Sequence, residues 1–151
     1  NQTTWCMCCD LNRSLYYSDT KALALGAEAP VRIVLTVLDG IVAGEGEGPL
    51  APNDVPLGAI VAGTDPIAVD LVAVRMMGFN EQLIPKLREP MRDTGARITQ
   101  VRDPADVEVF EARVDSNGPT SRRLDEITCE RTFIAHAGWR GHIESDGPRS
   151  P

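Results

Sequence analysis

The sequence is poor in aromatic residues and in positive charge. Phe, Trp and Tyr make up 5% of the 151 residues, and 22 acidic side chains outnumber 15 basic ones, which gives a formal net charge of −7. Single-stranded nucleic acid is bound by stacking on aromatic rings, and nucleic acids of all kinds need Lys and Arg against their phosphates. We therefore expect no nucleic acid among the partners of this protein.

Long apolar runs are missing as well. A helix needs about 20 apolar residues in a row to cross a bilayer, and no run in the sequence approaches that length. Residues 1–10 also lack the basic and then apolar pattern of a secretory leader. The sequence therefore predicts a soluble, cytoplasmic protein without membrane contact.

The four cysteines are few and unevenly placed. Cys6, Cys8 and Cys9 lie together and Cys129 is distant, which is a poor framework for disulfides. Zinc and iron–sulfur sites need four ligands in most cases, so we expect structural, reduced cysteines and no iron–sulfur cluster within this chain. A thiol metal site formed by Cys6, Cys9 and Cys129 is the weaker alternative.

The overall composition is that of a globular domain, with 42% apolar and 25% charged residues. We predict an α/β fold with a mostly parallel or mixed sheet and flanking helices. Residues 1–144 are expected to form a single domain, an incomplete part of a larger one, and residues 145–151 a disordered tail.

Hydrophobic periodicity predicts the first elements. Apolar residues at three- and four-residue steps indicate a helix over Thr3–Ser18, and the β-branched run Val31–Leu38 is typical of a parallel strand buried on both faces. The glycine- and proline-rich segment Ile41–Leu57 reads as a loop. A second buried strand is predicted over Gly58–Gly63.

A helix is predicted after that strand. Asp65 suits its N-cap, Pro66 suits its first turn and Gly78 suits its end. Its residues are apolar almost all round, so we expect it to be covered on more than one side. Weaker patterns predict a short helix at 81–88, strands at 97–101, 110–114 and 131–136, and a linker at 116–123.

Acidic residues follow both predicted strands. Ligands of open α/β sheets bind at the carboxyl ends of strands, and hard cations prefer carboxylate oxygens. If the two strands are neighbours, Asp39 and Asp65 share one edge of the sheet. The candidate cleft comprises Asp39, Gly40, Glu45, Glu47, Thr64, Asp65 and Asp70, and the candidate ligands of a divalent cation are Asp39, Glu45 and Asp65.

Simpler interpretations of the same residues remain open. In one of them, Asp65 acts only as a helix cap and Asp70 pairs with an arginine. In another, the glycine-rich segment is a flexible acidic surface loop. His136 and His142 bracket Trp139 and Arg140, an arrangement that could close over a site, although such histidines are more often exposed or satisfied in a core.

Several of these motifs, in their order, resemble one family. The segments 1–5, 10–13, 39–50, 65–70, 77–79 and 138–144 look like the domain-of-unknown-function 362 family. The resemblance implies a carboxyl-terminal portion of a longer domain, and a redox neighbourhood, since some members are joined to iron–sulfur modules. Cys6 stands where the family pattern leads us to expect arginine.

Two functions follow as expectations. The first is part of a redox-associated enzyme with an acidic, cation-binding cleft at the ends of the strands. The second is a non-catalytic interaction module, in which an exposed sheet edge or the helix Thr3–Ser18 pairs with a partner chain or with a second copy, giving a homo-oligomer.

Overall fold

The computed structural model describes residues 3–19, 27–129 and 131–145. It confirms an α/β fold of small sheets with flanking helices. The elements are α1 Thr4–Tyr17, β1 Thr36–Gly40, β2 Ala43–Glu47, β3 Ala51–Val55, β4 Ala59–Gly63, α2 Pro66–Met76, α3 Pro85–Arg92, β5 Glu108–Glu111 and β6 Thr120–Arg123. No helix among the described residues has both the length and the apolar character needed to span a bilayer.

Three pairs of strands make up the described sheets, and each pair is antiparallel. β1 pairs with β4, β2 with β3, and β5 with β6. The parallel direction expected from the run Val31–Leu38 is therefore not found. A parallel pair needs a crossover connection, whereas β1 is joined to β4 through the β2–β3 hairpin.

Helix α2 lies at the centre of the packing, as predicted. It contacts β1, β4 and α3, and Leu71 on it is completely buried. Asp65 is its N-cap and Pro66 its first residue. Gly78 follows its end with φ of +76°, a left-handed conformation that glycine adopts without a steric penalty.

The glycine-rich segment is a β-hairpin, so its prediction as a loop is wrong. Gly44 and Gly46 pair with Asp54 and Pro52 across it. A Cβ at Gly44 would lie only 2.9 Å from Cβ of Pro52. The alternating glycines therefore leave the room that a proline-containing partner strand requires.

The weaker predictions fare less well. No strand forms at 97–101, where the Gln100 N–H donates to the Asp65 carboxylate. The short helix is found as a 3₁₀ turn, Glu81–Leu83, followed by α3. Residues 110–114 overlap β5 only in part, the expected linker ends in β6, and 131–136 carries no assigned strand. Residues 146–151 of the expected tail lie outside the described residues.

Candidate functional site

The antiparallel pairing separates Asp39 from Asp65. Gly40 lies opposite Ala59 at one end of the β1–β4 ladder, and Gly63 lies opposite Thr36 at the other. At about 3.4 Å per residue these two ends are roughly 14 Å apart. The expectation that the two carboxylates share one edge of the sheet is therefore wrong.

Asp39 lies at the hairpin end of this ladder. Its Oδ1 accepts the N–H of Ile41 at 3.0 Å, in an exposed position. The neighbouring Gly40 is buried, and a Cβ there would lie 3.1 Å from the Ala59 carbonyl oxygen. At the opposite end Thr64 is exposed and forms the bend before α2.

Asp65 uses both carboxylate oxygens within the protein. Oδ1 accepts the N–H groups of Ile67 and Ala68 at 3.0 and 3.1 Å. Oδ2 accepts the Thr99 hydroxyl and the Gln100 N–H, each at 2.8 Å. With four donors in place, this carboxylate caps α2 and ties it to the segment after α3.

Asp70 forms an ion pair with Lys86 of α3, at 3.0 Å between Oδ2 and Nζ, and not with an arginine. Both side chains are partly exposed, at 37% and 49%. They line an open pocket of about 210 Å³ that also contains Cys8 and Cys9 of α1.

Glu45 is a buried carboxylate on β2. Its Oε2 accepts the Ile134 N–H at 2.8 Å, its Oε1 pairs with Arg131, and its side chain is 5% exposed. Burial by itself would raise the pKa of this carboxyl, but the Ile134 N–H and the Arg131 guanidinium outweigh that effect and the pKa is lowered. Glu45 therefore fastens residues 131–134 to the hairpin.

Glu47 and His136 meet on the same side of the hairpin. His136 Nε2 lies 3.5 Å from Glu47 Oε2, and His136 Nδ1 accepts the Gly138 N–H at 3.1 Å. His136 lines an open pocket of about 250 Å³ between β2 and the carboxyl-terminal segment. Its lining includes Gly44, Gly46, Phe79, Phe133, Trp139 and Ile143.

This pocket lies between the glycine-rich hairpin and the segment around Trp139, two motifs that are far apart in the sequence. The link is made by the backbone, since the Gly46 N–H donates to the Ile134 carbonyl at 2.8 Å. Arg131 and Ile134 were missed as partners of the hairpin, because a contact between residues 45 and 134 leaves no local signal in a single sequence. The strand predicted at 131–136 was the available hint.

A shared cation site of Asp39, Glu45 and Asp65 is not formed. Over the described ranges, no three or more His, Cys, Asp or Glu side chains gather as a metal site. Asp39 is distant from Asp65, and the oxygens of Glu45 and Asp65 already accept hydrogen bonds. Cation binding itself stays a prediction.

All four cysteines lie within the described residues, where none is joined to another by a disulfide. Cys9 is 2% exposed and belongs to the apolar core. Burial raises its pKa. Cys6 and Cys8 are half-buried on α1, whereas the Cys129 sulfur lies beside Gly78.

Helix α1 exposes an apolar stripe of its own. Met7, Leu11 and Leu15 are 55%, 63% and 46% exposed, while Cys9 and Tyr16 are buried. Leu11 and Leu15 therefore do not face the core together with Cys9 and Tyr16. Residues at four-residue steps share one helix face, so the stripe faces away from the core.

The segment leading into β1 has the burial pattern of a strand but no partner strand. Burial alternates over residues 31–39, with the odd positions exposed and the even ones half-buried. The odd side chains, together with Ile60 of β4, form one face that we call the open face. Its members and their exposed fractions are Val31 53%, Ile33 93%, Leu35 66%, Val37 59% and Ile60 62%.

The backbone of residues 32–35 forms no ladder with any other described segment. Val31 N–H donates to the Tyr16 carbonyl at 2.8 Å, but no backbone hydrogen bond to residues 32–35 occurs within the described part of the chain. β4 cannot continue along them, because Gly63 is opposite Thr36 and α2 begins at Pro66. We call residues 31–35 the overhang.

Comparison with known proteins gives one family match. No curated protein and no solved structure matches the chain. Residues 6–75, slightly less than half of the chain, match the model of the family described as Domain of unknown function (DUF362). The matched part contains the hairpin, β1, β4 and nearly all of α2, and it supports the resemblance to the domain-of-unknown-function 362 family over residues 6–75.

Proposed function

We propose that this chain is a non-catalytic interaction module that accepts an extended, apolar polypeptide strand along the overhang and β1. The observation that carries the proposal is that residues 32–35 make no backbone hydrogen bond to another described residue, while the Ile33 and Leu35 side chains of this segment are exposed.

Strand addition is the interaction that such a segment favours. An edge with free N–H and C=O groups is a template for another strand, and main-chain hydrogen bonds then supply affinity while alternate side chains supply specificity. Native edges are usually protected by charge or proline. The overhang carries neither on its open face, since its one charged residue, Arg32, donates to the Leu15 and Ser18 carbonyls of α1.

The open face supports the same function. Exposed apolar patches rimmed by polar residues mark interaction sites on globular proteins. Ala62 lies opposite Val37, and Ile60 lies opposite Asp39, on the same side of the ladder. The face therefore continues from the overhang across both strands, with Asp39 as a charge at its edge.

A synthetic strand tests this function directly. The probe is a fluorescent, lysine-flanked peptide of alternating valine and threonine, and the control is the same peptide with proline at its centre. We expect saturable binding of the first peptide only, measured by anisotropy. Equal binding of both peptides, or of neither, would remove the proposed function.

The enzymatic alternative now concerns a different site from the cleft that was expected at the ends of the strands. A redox-associated enzyme is favoured by the pocket between the hairpin and Trp139, which is lined by His136, the residue that contacts Glu47. Calorimetric titration with Mg²⁺, Ca²⁺ and Mn²⁺ tests its cation, with Asp39→Asn and Glu47→Gln as variants. Heat that disappears in Glu47→Gln but remains in Asp39→Asn would support it, and no heat in the parent protein would count against it.

The finer parts of the family resemblance also stay predictions. These are that the chain is the carboxyl-terminal portion of a larger domain, and that iron–sulfur modules are its neighbours. The first fits the proposed function, because the remainder of such a domain is one source of an extended strand.

A further inference from the structure

Resting on the proposed function, we propose that the strand accepted by the overhang is the overhang of a second copy of this chain. The two copies pair antiparallel about a two-fold axis near Val34. The product is a four-stranded antiparallel sheet in the order β4, β1, β1 of the second copy and β4 of the second copy.

The pairing gives the backbone groups of both overhangs hydrogen-bond partners. In each copy the backbone of residues 32–35 makes no backbone hydrogen bond to another described residue, and a two-fold interface uses one patch twice, so every hydrogen bond made by one copy is repeated by the other. A strand from an unrelated protein would have to match this edge by chance, whereas the second copy always carries it.

The side chains of the segment are compatible with this register. With the axis at Val34, Val31 lies opposite Val37, and Ile33 lies opposite Leu35. These are β-branched and aliphatic pairs of the kind that stabilise antiparallel strands. The exposed odd positions of both copies fall on one face, so the open faces join into a larger one.

The only charge in the overhang also fits. Arg32 lies opposite Thr36 in this register, so like charges do not face each other across the two strands. In addition, the Arg32 guanidinium is held by α1 of its own copy. An axis placed at Arg32 would set the two arginines against each other.

The net charge of −7 per chain opposes self-association and gives a way to recognise it. Repulsion between two acidic copies is screened by salt, since the Debye length falls from about 30 Å at 0.01 M to about 3 Å at 1 M. Dimer formation is therefore expected to strengthen as salt is added. A basic partner would show the opposite dependence.

Sedimentation equilibrium of the purified chain tests the inference. We expect a reversible monomer–dimer equilibrium that shifts towards dimer between 0.02 M and 0.5 M NaCl. Ile33→Lys alters two symmetry-related pairs of the interface, so it should raise the dimer dissociation constant by about tenfold or more. The matched control is Val114→Lys, because Val114 is fully exposed and distant in sequence, and it should leave the constant unchanged.

The outcomes separate this inference from the proposed function. A chain that is monomeric at all concentrations and salts, but still binds the strand peptide, would overturn the second copy and leave a strand from another chain or from the rest of a larger family domain. A dimer that Ile33→Lys does not weaken would place the contact elsewhere and also overturn the inference. Failure of the peptide to bind would remove the proposed function itself.

Discussion

Two acidic residues, Asp65 after β4 and Glu45 on β2, stabilise the fold through hydrogen bonds to their carboxylates. Asp65 accepts four hydrogen bonds, and Glu45 accepts the Ile134 N–H while it pairs with Arg131. A buried carboxylate is tolerated only when such partners replace water. The same contacts that make these two residues important for stability leave them poorly suited to hold an ion.

Replacing Glu45 by glutamine is expected to destabilise the protein by about 1–2 kcal/mol at pH 7, because a charge-assisted hydrogen bond becomes a neutral one. Arg131 is 57% exposed, so solvent compensates part of the loss. Urea unfolding measures the difference, and the exposed Glu47→Gln serves as the control with almost no effect. An equal loss in both variants would contradict the anchoring role of Glu45.

The pH dependence of this difference follows from the lowered pKa of Glu45. The folded protein holds the carboxyl ionised to a lower pH than the unfolded chain does, so its contribution to the free energy of unfolding is complete above the ordinary pKa of about 4.5. The gap between the parent and Glu45→Gln should therefore be constant near neutral pH and shrink as the pH falls below that value. A gap that widens in acid would contradict the assignment.

Replacing Asp65 by alanine should cost about 2–4 kcal/mol, because it removes the cap of α2 and leaves the Thr99 hydroxyl and Gln100 N–H without their acceptor. Asp70→Ala is the matched control on the same helix. Its ion pair with Lys86 is partly exposed, so its loss should cost less than about 1 kcal/mol. The free energies of unfolding of the two variants give the comparison, and similar values would argue against the capping network.

At the scale of elements, the sequence predicted what local signals determine. Helix α2 was predicted at both ends, because Asp65, Pro66 and Gly78 act on their own neighbours. Strand β4 was also found within one residue of its predicted start. Helix α1 was predicted as an element, but its exposed leucines were not, because periodicity cannot say which of two apolar faces is covered.

Long-range pairing could not be read in the same way. The direction of β1 relative to β4 depends on whether the connection is a crossover or a hairpin, and the glycine-rich hairpin was taken for a loop. Its strand character comes from contacts with Pro52 and with Ile134. Asp39 and Asp65 were consequently expected at one edge of the sheet, whereas the antiparallel ladder places them near opposite ends.

The end of α2 offers a test of tertiary constraint on a glycine. Gly78 and Gly58 both have positive φ, +76° and +68°. A Cβ at Gly78 would lie 2.9 Å from both Cys129 Sγ and Thr132 Oγ1, whereas nothing lies within 4 Å at Gly58.

Gly58→Ala should therefore cost about 1–2 kcal/mol for its backbone alone. Gly78→Ala should cost about 1–3 kcal/mol more, because it adds overpacking to the same backbone penalty. Thermal or urea unfolding of the two variants measures the difference. Equal costs would mean that the segment at residues 129–132 yields without resistance.

At the scale of the whole molecule, the described residues form a buried core around α2 and leave the open face exposed. Leu71, Leu87 and Leu124 are at most 1% exposed, so the core around α2 is closed. The side chains of the open face, in contrast, are at least 53% exposed. A protein with a buried core on one side and an exposed apolar strand on the other is suited to bind another polypeptide along that strand.

Site-resolved amide hydrogen exchange along residues 32–40 tests this account most directly. In dilute protein, the amides of residues 33–35 should exchange fast, while the amides of β1 that bond to β4 are protected. At high concentration, or with the strand peptide, alternate amides of residues 32–37 should become slow, because a strand bonds to one edge only. Fast exchange at 33–35 under every condition, or protection that is already present in dilute protein, would contradict the account.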